Sequence, residues 1–151
     1  MTKRGLLLVI GILGATLPVS GVPVATPTPG QETLSQVVSR LAQAWVDGDL
    51  EAIGSLMASA GVHVRLGAQD FHVLEKRQAL ATIRGLLRQM EGRGFEVTRV
   101  SELNGEPSRG ISEVEWEAVD RGSRELVQRT LFMGFILEAG AWRVEDLWVL
   151  R

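Results

Sequence analysis

The sequence has no cysteine and no tyrosine, and it has only two histidines among its 151 residues. Without cysteine there can be no disulfide bond, no thiolate catalysis and no lipid-modified cysteine of the bacterial lipoprotein kind. A zinc site would need carboxylates beside His63 and His72, and these two histidines lack the spacing of a metal-binding motif. We therefore predict no metal site and no cofactor, and a domain that is held together by its core alone.

The charge balance also removes a class of partner. The chain has 16 Lys+Arg against 18 Asp+Glu, a formal net charge of −2, and it contains no basic tract. Nucleic acid, which is bound mainly through clustered positive charge, is therefore not an expected partner. No serine lies in a nucleophile elbow and no glycine pair forms a phosphate loop, so hydrolase and nucleotide-binding functions gain no support.

The first residues have the pattern of a secretory signal peptide. Lys3 and Arg4 precede an apolar run over residues 6–17, and residues 19–21 are of the small kind found at signal cleavage sites. A membrane anchor is the alternative, but a span needs about 20 apolar residues, and Pro18 ends this run sooner. We predict a signal peptide over residues 1–21, export of a bacterial protein to the periplasm or medium, and no stable membrane span after cleavage.

A proline-rich segment separates the signal from the rest of the chain. Pro23, Pro27 and Pro29 lie among threonines and small residues in 22–31. Such a segment cannot continue a helix and buries little surface, so it is predicted to be a tether. Residues 32–151 form the single folded domain that remains.

Three amphipathic helices are predicted in the first half of this domain. Thr33 and Gln36 have the spacing of a capping box, and apolar residues then recur at helical spacing as far as Trp45. Gly48 suits the end of this helix, and Asp49 suits the cap of a second, short helix. A third helix is predicted from near Glu75, ended by glycines 92 and 94.

Strands make up the rest of the predicted domain. Alternating or wholly apolar segments predict strands over residues 62–66, 71–74, 95–103, 111–119, 125–137 and 141–150. Helices gathered early and strands gathered late are typical of an α+β domain. We expect three N-terminal helices packed on the concave face of a curved, mostly antiparallel sheet.

This layout resembles the nuclear transport factor 2-like superfamily, also called the cystatin-like or SnoaL-type cone fold. The resemblance rests on the helix junction at residues 44–50, on the helix that carries Leu80 after a short hairpin, and on residues 140–144, which open the final strand. It is strongest to small exported bacterial members of unknown function. The resemblance implies a pocket between the sheet and the helices, and dimers formed across the sheet. The superfamily's steroid isomerase and its fungal dehydratase both use tyrosines, so neither catalytic set can be transferred to this chain.

The last strand carries the sharpest candidate for a functional residue. Period-2 alternation places Trp142, Val144 and Trp148 on one face, and it places Asp146 on that same face. Burial there would raise the pKa of the carboxyl group and suit it to acid or base chemistry. The alternatives are that Asp146 faces solvent near the sheet edge or pairs with an arginine such as Arg129 or Arg143.

These observations predict an exported, non-catalytic domain that binds a small apolar or amphipathic ligand or a protein partner. The predicted ligand-binding pocket contains Trp116, Trp142, Asp146 and Trp148. The alternative functions are a cofactor-independent lyase or isomerase of the SnoaL type, using Asp146 with His63 and Arg99, and a purely structural association domain.

A homodimer is predicted from the strand at 125–137, which is apolar on both of its faces between Leu131 and Leu137. The helices can cover only one face of the sheet, so one of the two rows needs another cover. This is either the row of Phe132 and Ile136 or the row of Leu131, Met133, Phe135 and Leu137. A second copy of the sheet would supply it. The alternative cover is the N-terminal helix or the tether.

Overall fold

The computed structural model of the protein describes residues 30–150. The predicted signal peptide and nearly all of the predicted tether lie outside this range. Within residues 30–150, no helix is long and apolar enough to cross a membrane.

Three helices and six strands follow one another in the described chain. The helices are α1 (Leu34–Asp47), α2 (Leu50–Ser55) and α3 (Lys76–Gln89). The strands are β1 (Val62–Leu66), β2 (Gln69–Leu74), β3 (Met90–Leu103), β4 (Arg109–Asp120), β5 (Leu126–Glu138) and β6 (Ala141–Leu150). They form one sheet in the order β2-β1-β6-β5-β4-β3, in which only β1 and β6 pair in parallel. The prediction of an α+β fold with a curved, mostly antiparallel sheet is confirmed.

Local hydrogen bonds explain where the first two helices begin. The backbone N–H of Gln36 donates to Thr33 Oγ1 at 3.3 Å, and that of Thr33 donates to Gln36 Oε1 at 2.8 Å, as the capping box predicted. Gly48 ends α1 in the left-handed region, at φ 69°. Asp49 then caps α2 by accepting from the N–H of Ala52 at 3.0 Å.

The end of α3 differs from the prediction. The helix ends at Gln89, and glycines 92 and 94 lie inside β3, which begins at Met90 and pairs with the far end of β4. Gly92 is needed there for close approach, because a Cβ at this position would lie 2.5 Å from the carbonyl oxygen of Val46. The glycine therefore lets β3 pass beneath the end of α1.

The two faces of the sheet have different surroundings. The face toward the helices, here called the inner face, carries the core, in which Trp116 packs edge-on against Trp45 with ring centroids 5.6 Å apart. In β5 the inner residues Leu131, Met133 and Phe135 are buried. The opposite parity of β5, on the outer face, carries partly exposed apolar side chains.

A β-bulge in β6 overturns the predicted face of Asp146. Gly134 pairs with Asp146 but Phe135 pairs with Val144, so one residue of β6 is extra at this point. Trp142 and Val144 face the core before the bulge, and Leu147 and Val149 face it afterwards. The predicted grouping of Asp146 and Trp148 with Trp142 is therefore wrong, because the extra residue moves both to the outer face.

Candidate functional site

A half-open cavity lies between α3 and the inner face of the sheet, and we call it the α3 cavity. Its volume is about 460 Å³. It is lined by Leu66, Gly67, Gln69, Phe71, Ala81, Thr82, Gly85, Leu86, Gln89, Met90, Trp116, Arg129, Val149 and Leu150. The lining is mostly apolar, with a few amide and hydroxyl groups, which is the usual character of a small-molecule site.

One stripe of α3 forms the helical wall of the cavity. Thr82, Gly85, Leu86 and Gln89 recur at spacings of three and four, so they lie on one side of the helix. Gly85 leaves space within this wall, because a Cβ built there would have no other heavy atom within 4 Å.

The sheet supplies the floor through a cross-strand pair. Trp116 in β4 and Arg129 in β5 are directly opposite each other in the register. Trp116 is fully buried, and its Nε1 has no hydrogen-bond partner among the described residues. Arg129 is half-buried, and within residues 30–150 it makes no salt bridge to a carboxylate.

Among the described residues that line the cavity, Arg129 is also the one ionisable residue. An arginine stays protonated at any pH that a folded protein meets, so it cannot accept a proton as a general base. The lining can therefore hold an apolar molecule and place a positive charge and several hydrogen-bond donors against it.

Only one of the four predicted pocket residues lines the α3 cavity, and that residue is Trp116. Trp142 is on the inner face but lines a different cleft, together with Arg40 and Arg143. Asp146 and Trp148 lie on the outer face. Whether any of the four binds a ligand stays a prediction.

Arg129 and Gly85 were not predicted as lining residues. Arg129 was predicted only as an alternative ion-pair partner of Asp146, although counting by twos from Leu131 places Arg129 on the inner face. For Gly85 the sequence offers a weaker signal, which is a glycine inside a strong helical pattern.

The outer face brings the second group of candidates together around His63. Its Nε2 lies 2.8 Å from Asp70 Oδ1, and its Nδ1 lies 3.3 Å from Asp146 Oδ1. We call these three residues the His63 cluster. An ionised carboxylate can only accept hydrogen bonds, whereas a neutral imidazole has one N–H. Both contacts are hydrogen bonds only if His63 is an imidazolium or one of the carboxyl groups is protonated.

The two carboxyl groups of the cluster differ in their electrostatics. Burial raises the pKa of Asp146, and the nearby charge of Glu145 adds to this effect while His63 opposes it. The pKa of Asp70 is lowered, first by the backbone N–H of His72, which donates to it at 2.8 Å, and then by the hydrogen bond from His63. Of the two carboxyl groups, Asp146 therefore holds a proton more readily than Asp70.

Aromatic and charged neighbours surround the His63 cluster. Trp148 packs edge-on against His63 with ring centroids 5.5 Å apart, and Phe132 lies 5.1 Å from Trp148 by the same measure. Arg99, predicted to assist catalysis, is also on this face and lies 3.6 Å from Glu113. No group of three or more potential ligands in the described part of the chain is arranged to hold a metal ion.

No family model matches the chain, and no curated protein matches its sequence. Solved structures do match its fold. A DUF4783 family protein from Bacteroides uniformis has a TM-score of 0.64 and 11% identity, over 75% of this chain and 94% of its own. An NTF-2 like protein of unknown function from Shewanella oneidensis has a TM-score of 0.60 and 10% identity, over 78% and 96%.

An enzyme is also among the similar structures. An LEH-like epoxide hydrolase from M. tuberculosis has a TM-score of 0.55 and 13% identity, over 76% of this chain and 79% of its own. Structural matches at identities this low establish the fold and leave the chemistry open. The resemblance that the sequence suggested is confirmed at this level: the chain has the nuclear transport factor 2-like cone fold.

Proposed function

We propose that this protein is an exported, non-catalytic domain that binds a small apolar or amphipathic ligand in the α3 cavity. The observation that supports this most directly is the composition of the lining. A cavity of about 460 Å³ falls within the range of small-molecule sites, and the described residues of its lining include no carboxylate, histidine or lysine. These residues can surround a molecule, and none of them is a general acid or base.

The alternative is a cofactor-independent lyase or isomerase that uses Asp146 and His63. A general acid or base must lie within hydrogen-bond reach of the atom that it serves. Both residues point from the outer face, so the sheet lies between them and the α3 cavity. A reaction at the His63 cluster would have to use a substrate that is bound on the outer face.

Two further parts of the proposal come from the sequence and the sheet. The basic start and short apolar run of residues 1–21 support export to the periplasm or medium. Phe132, Ile136 and Trp148 are only partly buried on the outer face, which supports a homodimer formed through that face. Large apolar side chains each gain about 1.5 to 3 kcal/mol from full burial, so covering this row would stabilise a dimer.

Binding of a neutral apolar dye tests the central claim. N-phenyl-1-naphthylamine should bind the purified protein saturably, with one site per chain and a rise in dye fluorescence. Asp146→Asn should bind the dye as the wild type does, because the carboxylate faces away from the cavity. Failure of the wild-type protein to bind the dye saturably would contradict the proposal, and loss of binding in Asp146→Asn would favour the outer-face alternative.

A further inference from the structure

The described residues that line the α3 cavity carry a single charge. The half-buried Arg129 offers five N–H donors and a permanent positive charge to this space. Removing a charge from water without a partner costs free energy, so a buried or half-buried arginine normally has an acceptor close by. Within the described residues no carboxylate forms a salt bridge with Arg129.

Arginines on the outer face of the same sheet are arranged differently. Arg109 donates to Glu145 at 2.8 Å, and Arg99 lies 3.6 Å from Glu113. These side chains are each more than half exposed and yet have an acidic partner. Arg129 is less exposed and has no acidic partner among residues 30–150, so no described carboxylate competes for its donors with a molecule in the cavity.

Trp116 forms the floor of the cavity beside Arg129. It is the cross-strand partner of Arg129 and is fully buried. Its Nε1 has no acceptor among the described residues, but this atom exposes less than 1 Å² and is therefore closed off from the cavity. The cavity floor therefore combines the cation of Arg129 with surrounding apolar surface.

We propose that the α3 cavity binds a small amphipathic monoanion, with a carboxylate at Arg129 and an apolar body against Phe71, Met90 and Val149. The proposal rests on the ligand-binding function proposed above. A carboxylate matches a guanidinium in shape and charge, through two parallel hydrogen bonds. A phosphate monoester, with a charge of about −1.5 to −2 at neutral pH, would bring more charge than one arginine balances.

A matched pair of probes separates the contribution of the charge to binding from that of the apolar body. Octanoate and 1-octanol have the same chain length, and calorimetric titration would measure both. The wild-type protein should bind octanoate roughly tenfold more tightly or better, the usual effect of a hydrogen bond to a charged group. Arg129→Met should reduce the affinity for octanoate to that for octanol, and it should leave the affinity for octanol unchanged.

Two further variants control this measurement. Arg77→Met removes an exposed arginine of α3 that is not part of the lining, and it should keep the full preference for octanoate. Arg129→Lys keeps the charge but loses the two-pronged geometry, so it should retain part of the preference. Unchanged octanol binding by Arg129→Met shows that this variant is folded.

The outcomes distinguish this inference from the function on which it rests. Equal binding of octanoate and octanol by the wild type, or an undiminished preference in Arg129→Met, would overturn the monoanion proposal while binding in the cavity stood. Absence of binding for both probes and for the neutral dye would overturn the binding function itself.

Discussion

Gly85 allows the cavity to be filled without disturbing the rest of the fold. The residue lies within α3 and lines the cavity, and a Cβ added there meets no other atom within 4 Å. In a helix interior, glycine is about 1 kcal/mol less favourable than alanine. We therefore expect that a larger side chain at position 85 occupies the cavity and stabilises the helix at the same time.

The expected changes in stability follow from these two terms. Gly85→Ala should raise the free energy of unfolding by about 1 kcal/mol, and Gly85→Phe by about half as much from helix propensity alone. Partial burial of the phenyl ring in the cavity adds to the second value, up to about 1.5 kcal/mol in total. For a domain of this size, a change of 1 kcal/mol shifts the melting temperature by roughly 3 to 6 °C.

Thermal melts and dye titrations on the same samples would check both expectations. Gly85→Ala serves as the matched control, because it should gain stability and retain dye binding. Gly85→Phe should melt no lower than the wild type and lose at least about tenfold in affinity for the dye. A Gly85→Phe protein that melts far below the wild type, or that binds the dye with full affinity, would refute the assignment of this cavity as the ligand site.

Four further predictions concern the outer face and the N-terminus. Because the pKa of Asp70 is lowered in the folded protein, its ionised form stabilises the fold above the ordinary carboxyl pKa. This stability is lost as the pH falls through the lowered pKa. In urea titrations, Asp70→Asn should therefore lose less stability than the wild type on acidification. The raised pKa of Asp146 gives the opposite pH dependence: its contribution to stability is present below the ordinary pKa and is lost as the pH rises through the raised pKa. Asp146→Asn should not show this loss of stability. Phe132→Asp should dissociate a homodimer into folded monomers in light scattering, whereas Met133→Asp, on the inner face, should damage the core and lower the melting temperature. Mass spectrometry of the exported protein should show removal of residues 1–21.

Three of these predictions have a specific outcome that would contradict them. Identical urea midpoints for wild type and Asp146→Asn across mildly acidic pH would show that ionisation of this carboxyl has no energetic effect on the fold. A wild-type protein that remains monomeric at tens of micromolar would contradict the predicted homodimer. An intact chain recovered with membranes would contradict cleavage of the signal.

Local signals in the sequence predicted the helices well. The caps at Thr33 and Asp49 and the left-handed Gly48 depend on residues three or four apart, so a short window contains the whole cause. The end of α3 depends instead on pairing between Met90 and Asp120, which are distant in the sequence. A glycine pair looked like a helix stop because that pairing was not visible.

The residues of the site were harder to predict because the extra residue of the bulge in β6 moves every later side chain of that strand to the opposite face. The change from Trp142 and Val144 to Leu147 and Val149 was present in the sequence as a shift of apolar parity. Trp148 concealed the shift, since an apolar residue at this position continued the earlier alternation. The bulge sets Asp146 beside His63 on the outer face and removes it from the pocket in which strict alternation had placed it.

The two glycines inside the described helices show where space is used for packing and where it is left open. A Cβ on Gly54 would lie 2.9 Å from a methyl group of Leu80, so the end of the Leu80 side chain would have to shift at the contact between α2 and α3. Gly85 has no such neighbour, yet it carries the same helix penalty of about 1 kcal/mol. Packing within the described chain gives no reason for glycine at position 85. Gly85 is exposed and borders the α3 cavity, in which the described residues supply one positive charge and no acid or base. Under the proposed binding function, the space that this glycine leaves open is room for the ligand.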